Sequence, residues 1–440
     1  MIELGMRSFF GKHVLLLQGP LGPFFNRLSR DLMANGARVS KINFNGGDWL
    51  FYRQKCVLYR GRMEDWPDYF SKLLAEWKID VVLMYGDCRP VHECVRTRAE
   101  KLGVKVGVFE AGYIRPNYIT LEQAGINDYS RLPRDEHFYT QFADKEHTVP
   151  KPVGNVFWHA ALWAVLYYVA SSLLHLWFRH YQHHRRLSIR EAWPWVRGTW
   201  RKYYYSIKER KTRKQLTSQY SRKLFLVPLQ VHYDSQMSVH SDYTDVETFI
   251  KCVVEDFARE APSDTYLVLK HHPMDRAYRD YTVLCAQLAE RNGVKKRVMY
   301  VHDLHLPTIY KHAQGVVVVN STVGLSALMH GIPVKVCGRA MYDIKGLTYT
   351  GSLSDFWKQA STFASNAKAR CGFEWYLIEH TQLNGSVYKR LSMSKLQSGL
   401  IWNPISSFGT SVDTEETIHH VGAASVMELT SCAPDLPLAS

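Results

Sequence analysis

The 440-residue chain has little cysteine, and its cysteines are not arranged for disulfides or for metal. The eight are scattered singly, with no Cys-x-x-Cys pair and no Cys/His spacing typical of a zinc site. The sequence also lacks an Asp-x-Asp dyad placed to hold a metal. We therefore expect a reduced, cytoplasmic protein without a bound metal. The first ten residues lack the apolar core and cleavage site of a signal peptide, so we expect no export.

Acidic residues are also few relative to basic ones. The 41 Asp and Glu against 55 Lys and Arg give a net charge of +14, which favours an anionic partner such as nucleic acid, acidic lipid or a phosphorylated substrate. Hydrophobic residues make up 46% and charged residues 22% of the chain, which excludes a mostly disordered protein. The length predicts two or three domains at roughly 150 residues each.

Short apolar runs alternate with amphipathic stretches in both halves of the chain. In the first half, strands are predicted at 12–19, 38–44, 80–85 and 105–109, and a helix at 24–35. In the second half, strands are predicted at 223–228, 266–270, 297–301 and 315–319. Strands separated by helical spacers predict parallel, doubly wound α/β sheets, in which ligands bind at the carboxyl ends of the strands.

A helical insert is predicted between the two halves. Residues 156–178 contain no Asp, Glu, Lys or Arg and would be about 35 Å long as a helix, enough to span a bilayer. Residues 179–214 hold twelve Lys and Arg against two Glu. This pattern favours an anionic membrane interface, and a buried helix followed by a solvated basic face is the alternative. Because the charge adjoins an apolar segment, we expect no nucleic-acid partner. The candidate membrane-facing residues are Trp158, Trp163, Trp177, Arg185, Arg186, Arg190, Arg201 and Lys202.

Three short groups of polar residues with possible chemical roles follow predicted strands. His272, within Lys270-His271-His272-Pro273, is placed to offer a ring N–H to a phosphate, although a surface or core histidine is the alternative. Ser321 and Thr322 open a helix, where hydroxyl and backbone N–H groups form either an anion site or a plain N-cap. Glu110 is a carboxylate facing the interdomain space or a solvated loop residue. Gly19, Gly22, Asn45 and Asp48 follow first-half strands and line the acceptor side of a cleft or only form tight turns. Arg89 and Arg115 are candidates to bind a phosphate or a carboxylate on the same side, since a guanidinium pairs with either.

The three groups resemble the acidic-Gly, His-Pro and Ser-Ser/Thr motifs of bacterial CMP-sugar-using glycosyltransferases, with Ala111 in place of a second acid. Segments such as LLLQGPLGPFF (15–25), MYGDCRP (84–90) and PLQVHYDSQM (228–237) make the chain similar to the capsular polysaccharide biosynthesis family of retaining β-Kdo transferases, KpsS/LipB type. The resemblance implies a GT-B-like α/β fold, with two Rossmann-like domains facing a cleft and a membrane-associating helical insert. The expected boundaries are 1–150 for the first domain, 151–218 for the insert, 219–405 for the CMP-sugar-binding domain and 406–440 for a flexible tail.

The resemblance also implies an activity and its residues. The enzyme would move Kdo from CMP-β-Kdo onto lysophosphatidylglycerol, starting the β-Kdo linker of a capsule, without a further cofactor. Gln230 and Asp234 match a Gln-x-x-x-Asp element, with Asp234 as nucleophile or, alternatively, a turn former. Glu110 would be the acid/base. The residues expected around the CMP phosphate are Lys270, His272, Ser321 and Thr322.

The expected location is peripheral, or monotopic, on the cytoplasmic face of the bacterial inner membrane. The expected partners are anionic inner-membrane lipid, a companion poly-Kdo transferase and a capsule export complex. Glu110 and Asp234 lie on opposite sides of 156–178 in the sequence and must share one cleft, so this segment is expected to lie on the membrane rather than to cross it once. A non-catalytic capsule assembly or export partner with the same fold is the alternative function.

Overall fold

The computed structural model describes residues 3–181, 192–232, 237 and 239–402. In this part of the chain, twelve strands form two sheets. The strands are β1 His13–Leu16, β2 Arg38–Asn43, β3 Cys56–Leu58, β4 Val81–Tyr85, β5 Lys105–Ala111, β6 Tyr118–Gln123, β7 Leu224–Pro228, β8 Tyr266–Lys270, β9 Val298–Val301, β10 Ala313–Val318, β11 Val334–Val336 and β12 Gln382–Asn384.

Helices flank both sheets. In the first half they are α1 Glu3–Arg7, α2 Phe24–Ala34, α3 Gly46–Phe51, α4 Trp66–Glu76, α5 Val95–Lys101 and α6 Glu136–Thr140. The insert contains α7 Phe157–Leu173, α8 Ala192–Lys208 and α9 Arg210–Thr217. The second half adds α10 Val246–Glu260, α11 Thr282–Arg291, α12 Leu306–Tyr310, α13 Thr322–Met329, α14 Leu353–Gln359 and α15 Ala367–Thr381.

The first sheet has the strand order β12-β6-β5-β4-β1-β2-β3. Strands β1 to β5 are parallel, for example with Val14 opposite Val39 and Val81, whereas β6 and β12 form an antiparallel edge. The second sheet has the order β11-β10-β7-β8-β9 and is parallel throughout. The prediction of two Rossmann-like domains is confirmed.

The apolar pattern explains why these segments fold as they do. All four residues of β1 and all five of β7 are buried, as expected for strands covered by helices on both faces. Helix α2 buries Phe24, Leu28 and Leu32, which repeat every four residues and therefore line one face. The predicted strands and helices agree with the observed ones to within a few residues, whereas β3, β6, β11 and β12 were not predicted.

The chain returns to the first sheet after the second one is complete. Helix α15 packs on α6, and β12 pairs with β6. Leu383, Leu400 and Trp402 belong to the same hydrophobic core as Phe9 and Phe24. The second sheet is thus a module inserted between parts of the first, and the predicted tail at 406–440 lies outside the described residues.

The insert packs on both halves. Helix α7 lies against α3, where a Cβ added at Gly46 would be 2.3 Å from the Ala170 carbonyl oxygen. The Tyr205 ring of α8 stacks on His302 of the second half, with ring centroids 3.5 Å apart. The predicted apolar helix ends at Leu173 and is followed by a short 3-10 turn, His175–Phe178. Among the described helices, none is both long and apolar enough to cross a membrane.

Candidate active site

The carboxyl ends of the parallel strands in the two sheets face each other. Arg339, after β11, forms an ion pair with Asp128 of the first half at 3.2 Å, and Arg134 donates to the Ala340 carbonyl. The charge of Arg115, after β5, helps to lower the pKa of His272, which follows β8. Residues predicted from separate halves are therefore close in space, as a cleft between two domains requires.

Glu110 lies near the end of β5, where the charges of Arg89 and Arg115 act on it. Its Oε1 accepts from the backbone N–H of Ala111 at 2.8 Å. Gly86 has a φ of +70°, and a Cβ there would be 3.3 Å from Glu110 Oε2, so glycine leaves the carboxylate room. Burial raises the pKa of Glu110, while Arg89 and Arg115 act to lower it. A carboxyl group in this environment is suited to take up and release a proton.

The two arginines are themselves anchored. Arg89 donates to the Gly19 carbonyl at 3.0 Å and lies over the Tyr85 ring. Arg115 donates through Nε to the Gly112 carbonyl at 3.3 Å. Each guanidinium has further N–H groups besides the one used in these bonds, and a guanidinium can donate two parallel hydrogen bonds to a carboxylate or phosphate.

His272 is a neutral hydrogen-bond donor. Burial, then Lys270 and Arg115, lower its pKa to about 4. Its Nδ1 accepts from the Met274 backbone N–H at 3.2 Å, which places the ring proton on Nε2. Lys270 is buried, donates to the His271 carbonyl, and has its pKa lowered to about 8 by burial. The ring N–H that we expected at this strand end is therefore the Nε2–H of His272.

Ser321 caps α13, and its Oγ accepts from the Val323 backbone N–H at 3.2 Å. The Ser321 hydroxyl hydrogen remains available for a ligand, as does the partial positive charge of the helix N-terminus, where Thr322 is the first residue. The N-cap and anion-site hypotheses are therefore compatible.

Gln230, two residues after the end of β7, lies beside this group of residues. Its Nε2 donates to Asn320 Oδ1 at 2.7 Å, next to Ser321. Its Oε1 is buried and has no hydrogen-bond partner within the described part of the chain. A buried acceptor of this kind calls for a ligand or a neighbouring donor, because leaving it unpaired is costly.

A histidine–carboxylate pair was missed by the sequence analysis. His232 Nδ1 lies 2.5 Å from Asp275 Oδ1, and the His232 backbone N–H donates to Asp275 Oδ2 at 2.8 Å. Asp275 is fully buried, so it fixes the ring and directs Nε2 away from itself. In the sequence, Asp275 stands two residues after His272-Pro273, and this spacing is not distinctive enough to predict the pair. Asp234, two residues after His232, lies outside the described residues, so its predicted role stays a prediction.

The first-half loops hold the insert instead of lining an open cleft. Asn45 Oδ1 accepts from the Asp48 backbone N–H, and Asn45 Nδ2 donates to the Tyr167 hydroxyl at 2.7 Å. Asp48 Oδ1 accepts from the same hydroxyl at 3.1 Å. A Cβ on Gly22 would be 2.9 Å from the Trp163 ring, and the cavity beside Gly19 measures only about 10 Å³, room for one water. The Phe44 backbone N–H donates to Asp48 Oδ2 at 3.1 Å, so both carboxylate oxygens of Asp48 already accept hydrogen bonds. The placement of Gly19, Gly22, Asn45 and Asp48 therefore differs from the predicted acceptor-lining role.

The predicted membrane-facing residues divide into three groups. Trp158 and Trp177 are 76% and 59% exposed, and Lys202 is exposed as well. Trp163 instead points into the first half and donates to the Tyr388 carbonyl, and Arg201 donates to the Arg276 carbonyl at 2.6 Å. Those two contacts correct the expectation, since neither side chain is directed at a lipid surface. Arg185, Arg186 and Arg190 lie outside the described residues.

Comparison with known proteins identifies the family. The family model described as capsule polysaccharide biosynthesis protein matches residues 80–388. The chain is 40% identical over 388 residues to the capsule polysaccharide export protein KpsS of Escherichia coli, covering 86% of this chain and 97% of that protein. The chain belongs to the capsule polysaccharide biosynthesis family. It is also 37% identical over 389 residues to the capsule polysaccharide modification protein LipB of Neisseria meningitidis serogroup B, covering 86% and 92%. The KpsS/LipB resemblance is confirmed.

Solved structures similar to this family member are more distant. A glycosyltransferase from Rickettsia africae ESF-5 has a TM-score of 0.33 and 9% identity, covering 83% of this chain and 95% of that one. Anabaena Alr3699/HepE, solved with UDP-glucose, has a TM-score of 0.33 and 13% identity, covering 83% and 96%. The GT-B-like description of this chain therefore rests on its own two sheets, one mixed and one parallel, and on the facing carboxyl ends of their parallel strands.

Proposed function

We propose that this protein is a retaining glycosyltransferase that moves Kdo from CMP-β-Kdo onto lysophosphatidylglycerol, starting the β-Kdo linker of a capsular polysaccharide. The observation that carries the proposal is the meeting of two groups from opposite halves. Glu110 and Arg115 come from the first sheet and His272 comes from the second, and the two halves are in contact at their strand ends through the Arg339–Asp128 ion pair at 3.2 Å. Membership of the capsule polysaccharide biosynthesis family supplies the context.

The second half binds the CMP phosphate. His272 Nε2–H and the Ser321 hydroxyl donate to phosphate oxygens, and the N-terminus of α13 at Thr322 adds its dipole. These donors stabilise the negative charge that develops on the phosphate as the bond to the sugar breaks. The neutral state of His272 suits this role, because an N–H is presented without a charge that must first be desolvated.

Chemistry at the anomeric carbon needs two displacements to retain configuration. In the first, the Asp234 carboxylate attacks this carbon, a new C–O bond forms to Asp234, and CMP leaves with the bonding electron pair. In the second, the acceptor hydroxyl attacks the same carbon and its proton passes to Glu110, while the Asp234 carboxylate departs. The raised pKa of Glu110 makes it an effective proton acceptor in its ionised form. No further cofactor takes part.

The direct test is incubation of the protein with CMP-Kdo and lysophosphatidylglycerol, followed by mass spectrometry of the lipid. We expect a mass gain of one Kdo, and no gain with Asp234→Ala, which should still bind CMP. Intact-protein mass spectrometry of a Glu110→Gln variant given CMP-Kdo alone should reveal the Kdo–Asp234 adduct. A lipid product formed at the wild-type rate by Asp234→Ala would overturn the double displacement.

We also propose that the protein binds the cytoplasmic face of the inner membrane through the insert. Large apolar side chains of α7 and the following turn are exposed, including Leu173 at 75% and Leu176 at 83%. On α8, Trp200 and Tyr203 are exposed beside Lys202. An apolar patch bordered by cations fits an anionic lipid surface better than water. The companion poly-Kdo transferase and the capsule export complex remain the proposed protein partners.

A second candidate is a non-catalytic partner in capsule export, favoured by the name of the E. coli relative, capsule polysaccharide export protein. This candidate predicts that Glu110→Gln and Asp234→Ala leave capsule assembly intact in cells. The transferase proposal predicts that both variants abolish it at unchanged protein level.

A further inference from the structure

Three side chains with metal-binding chemistry meet where the two halves touch. Asp87 and Cys88 follow β4 in the first half, whereas His240 follows β7 in the second. All three are buried, and their potential ligand atoms lie within 4.8 Å of one another. Cys88 Sγ is 3.3 Å from Asp87 Oδ1 and 3.5 Å from His240 Nε2.

The two distances from Cys88 Sγ match the sulfur edges of a tetrahedral zinc site, and the Asp87–His240 edge is within 4.8 Å. With bonds of about 2.3 Å to sulfur and about 2.0–2.2 Å to nitrogen or oxygen, tetrahedral angles place sulfur about 3.5–3.6 Å from each of the other ligands. The observed separations of 3.5 and 3.3 Å need only small adjustments. A thiolate, an imidazole and a carboxylate form a donor set that favours zinc over magnesium or calcium.

The surroundings supply the outer hydrogen bonds that such ligands require. Asp87 Oδ2 accepts from the Ile126 backbone N–H at 2.9 Å, which orients Oδ1 toward Cys88. His240 Nδ1 is buried without a hydrogen-bond partner among the described residues, and it lies 3.9 Å from Asp128 Oδ2. A metal-bound histidine usually donates its second N–H to a carboxylate, and the Asp128 carboxylate, which is paired with Arg339, would receive it once the 3.9 Å separation shortens to hydrogen-bond distance.

His240 is held firmly by its own half while its ring reaches the other. Its carbonyl accepts from the Arg339 backbone N–H at 2.8 Å and from Asn320 Nδ2 at 3.2 Å. The Tyr129 ring packs edge-on against the imidazole, with centroids 4.8 Å apart. The ligand set is therefore assembled only when both halves are in contact.

We propose that Asp87, Cys88 and His240 bind one zinc ion, with a water molecule as the fourth ligand. Binding releases the Cys88 thiol proton to solvent and leaves the sulfur as thiolate. The ion fastens the two halves beside Gly86, the residue that gives Glu110 its space. This proposal is independent of the proposed sugar transfer, because none of the three ligands has a role in it. Sequence spacing predicted no metal, since Cys88 and His240 are 152 residues apart.

The test uses the full chain, stripped of metal with a chelator and titrated with Co²⁺. We expect one Co²⁺ per chain, a thiolate-to-cobalt charge-transfer band in the near ultraviolet, and displacement of the ion by Zn²⁺. Cys88→Ser should lose the band, and His240→Gln should weaken binding. Asp128→Asn should reduce affinity about 10–100-fold, as removal of an outer carboxylate typically does. The matched control is Cys285→Ser, a buried thiol elsewhere in the second half, which should retain the full band.

A wild-type chain that shows no such band, or a Cys88→Ser chain that keeps it, would overturn the proposal. Either result would leave Cys88 and His240 as a thiol–imidazole hydrogen bond. If the variants fail to fold, X-ray absorption of the zinc-loaded wild type decides the matter. One sulfur among the zinc ligands supports the site, and a shell of oxygen and nitrogen alone contradicts it.

Discussion

Replacing His272 by alanine should weaken CMP binding, because in the proposed transferase the ring donates a hydrogen bond to the phosphate. The bond from His272 Nε2–H to a phosphate charge is expected to contribute about 1.5–3 kcal/mol. At 1.4 kcal/mol per tenfold change, Kd should rise about 10–150-fold. Calorimetric titration with CMP measures this change. His272→Gln, whose amide keeps an N–H donor, should recover part of the affinity, and the exposed His305→Ala should match the wild type.

The same prediction specifies a pH dependence. Burial, Lys270 and Arg115 lower the pKa of His272 to about 4, so the ring is neutral across roughly pH 5.5 to 8 and its donor is present throughout. The affinity lost in His272→Ala should therefore be nearly the same at every pH in that range. Two results would refute the reasoning. One is unchanged affinity in His272→Ala, and the other is a wild-type affinity step near pH 6.5 that the variant abolishes, which would indicate a cationic histidine.

Four further changes have expected outcomes. Glu110→Gln should slow transfer about 10²–10⁴-fold while calorimetry shows CMP binding retained, and an unchanged kcat would contradict the acid/base role. Trp158→Ser combined with Lys202→Glu should release the protein from anionic vesicles in a flotation assay, the charge contributing about 1 kcal/mol per basic residue, whereas binding to neutral vesicles should depend on Trp158 alone. Gly46→Val should lower the free energy of unfolding by about 1–3 kcal/mol, because its Cβ would meet the α7 backbone, and an unchanged urea midpoint would argue against that packing. Burial lowers the pKa of His380 from 6.5 to about 4, so between these pH values the unfolded chain binds more protons, and stability falls as the pH is lowered. His380→Phe should remove up to about 1.4 kcal/mol per pH unit of that slope, measured by urea unfolding at several pH values.

The architecture was predictable because its signals are local. The β7 run is apolar throughout and the β1 run is apolar after His13, and each ends in glycine, proline or polar residues. A parallel sheet places the carboxyl ends of its strands at one edge. The positions of Glu110, His272 and Ser321 at strand ends therefore sufficed to predict that they lie at these edges. The unpredicted β12 has three residues and pairs with a strand more than 250 positions earlier, which no local pattern reveals.

Side-chain roles that depend on distant partners were not predictable. Asn45 and Asp48 follow a strand as cleft residues do, yet they bond to Tyr167 of α7. Trp163 and Arg201 are of residue types common at membrane interfaces, but each donates a hydrogen bond to a backbone carbonyl far away in sequence. Burial of polar groups requires such partners, and sequence spacing cannot say which partner is used.

The insert, through which we propose membrane binding, contacts both halves of the chain. Tyr167 of α7 bonds to the first half through Asn45 and Asp48. Glu209, between α8 and α9, accepts backbone N–H groups of His302 and Asp303 in the second half, at 2.9–3.0 Å. An insert bound to membrane would therefore fix the orientation of both strand-end edges relative to the bilayer. For the proposed lipid acceptor, whose headgroup stays at the interface, we therefore expect transfer without extraction of the lipid chain from the membrane.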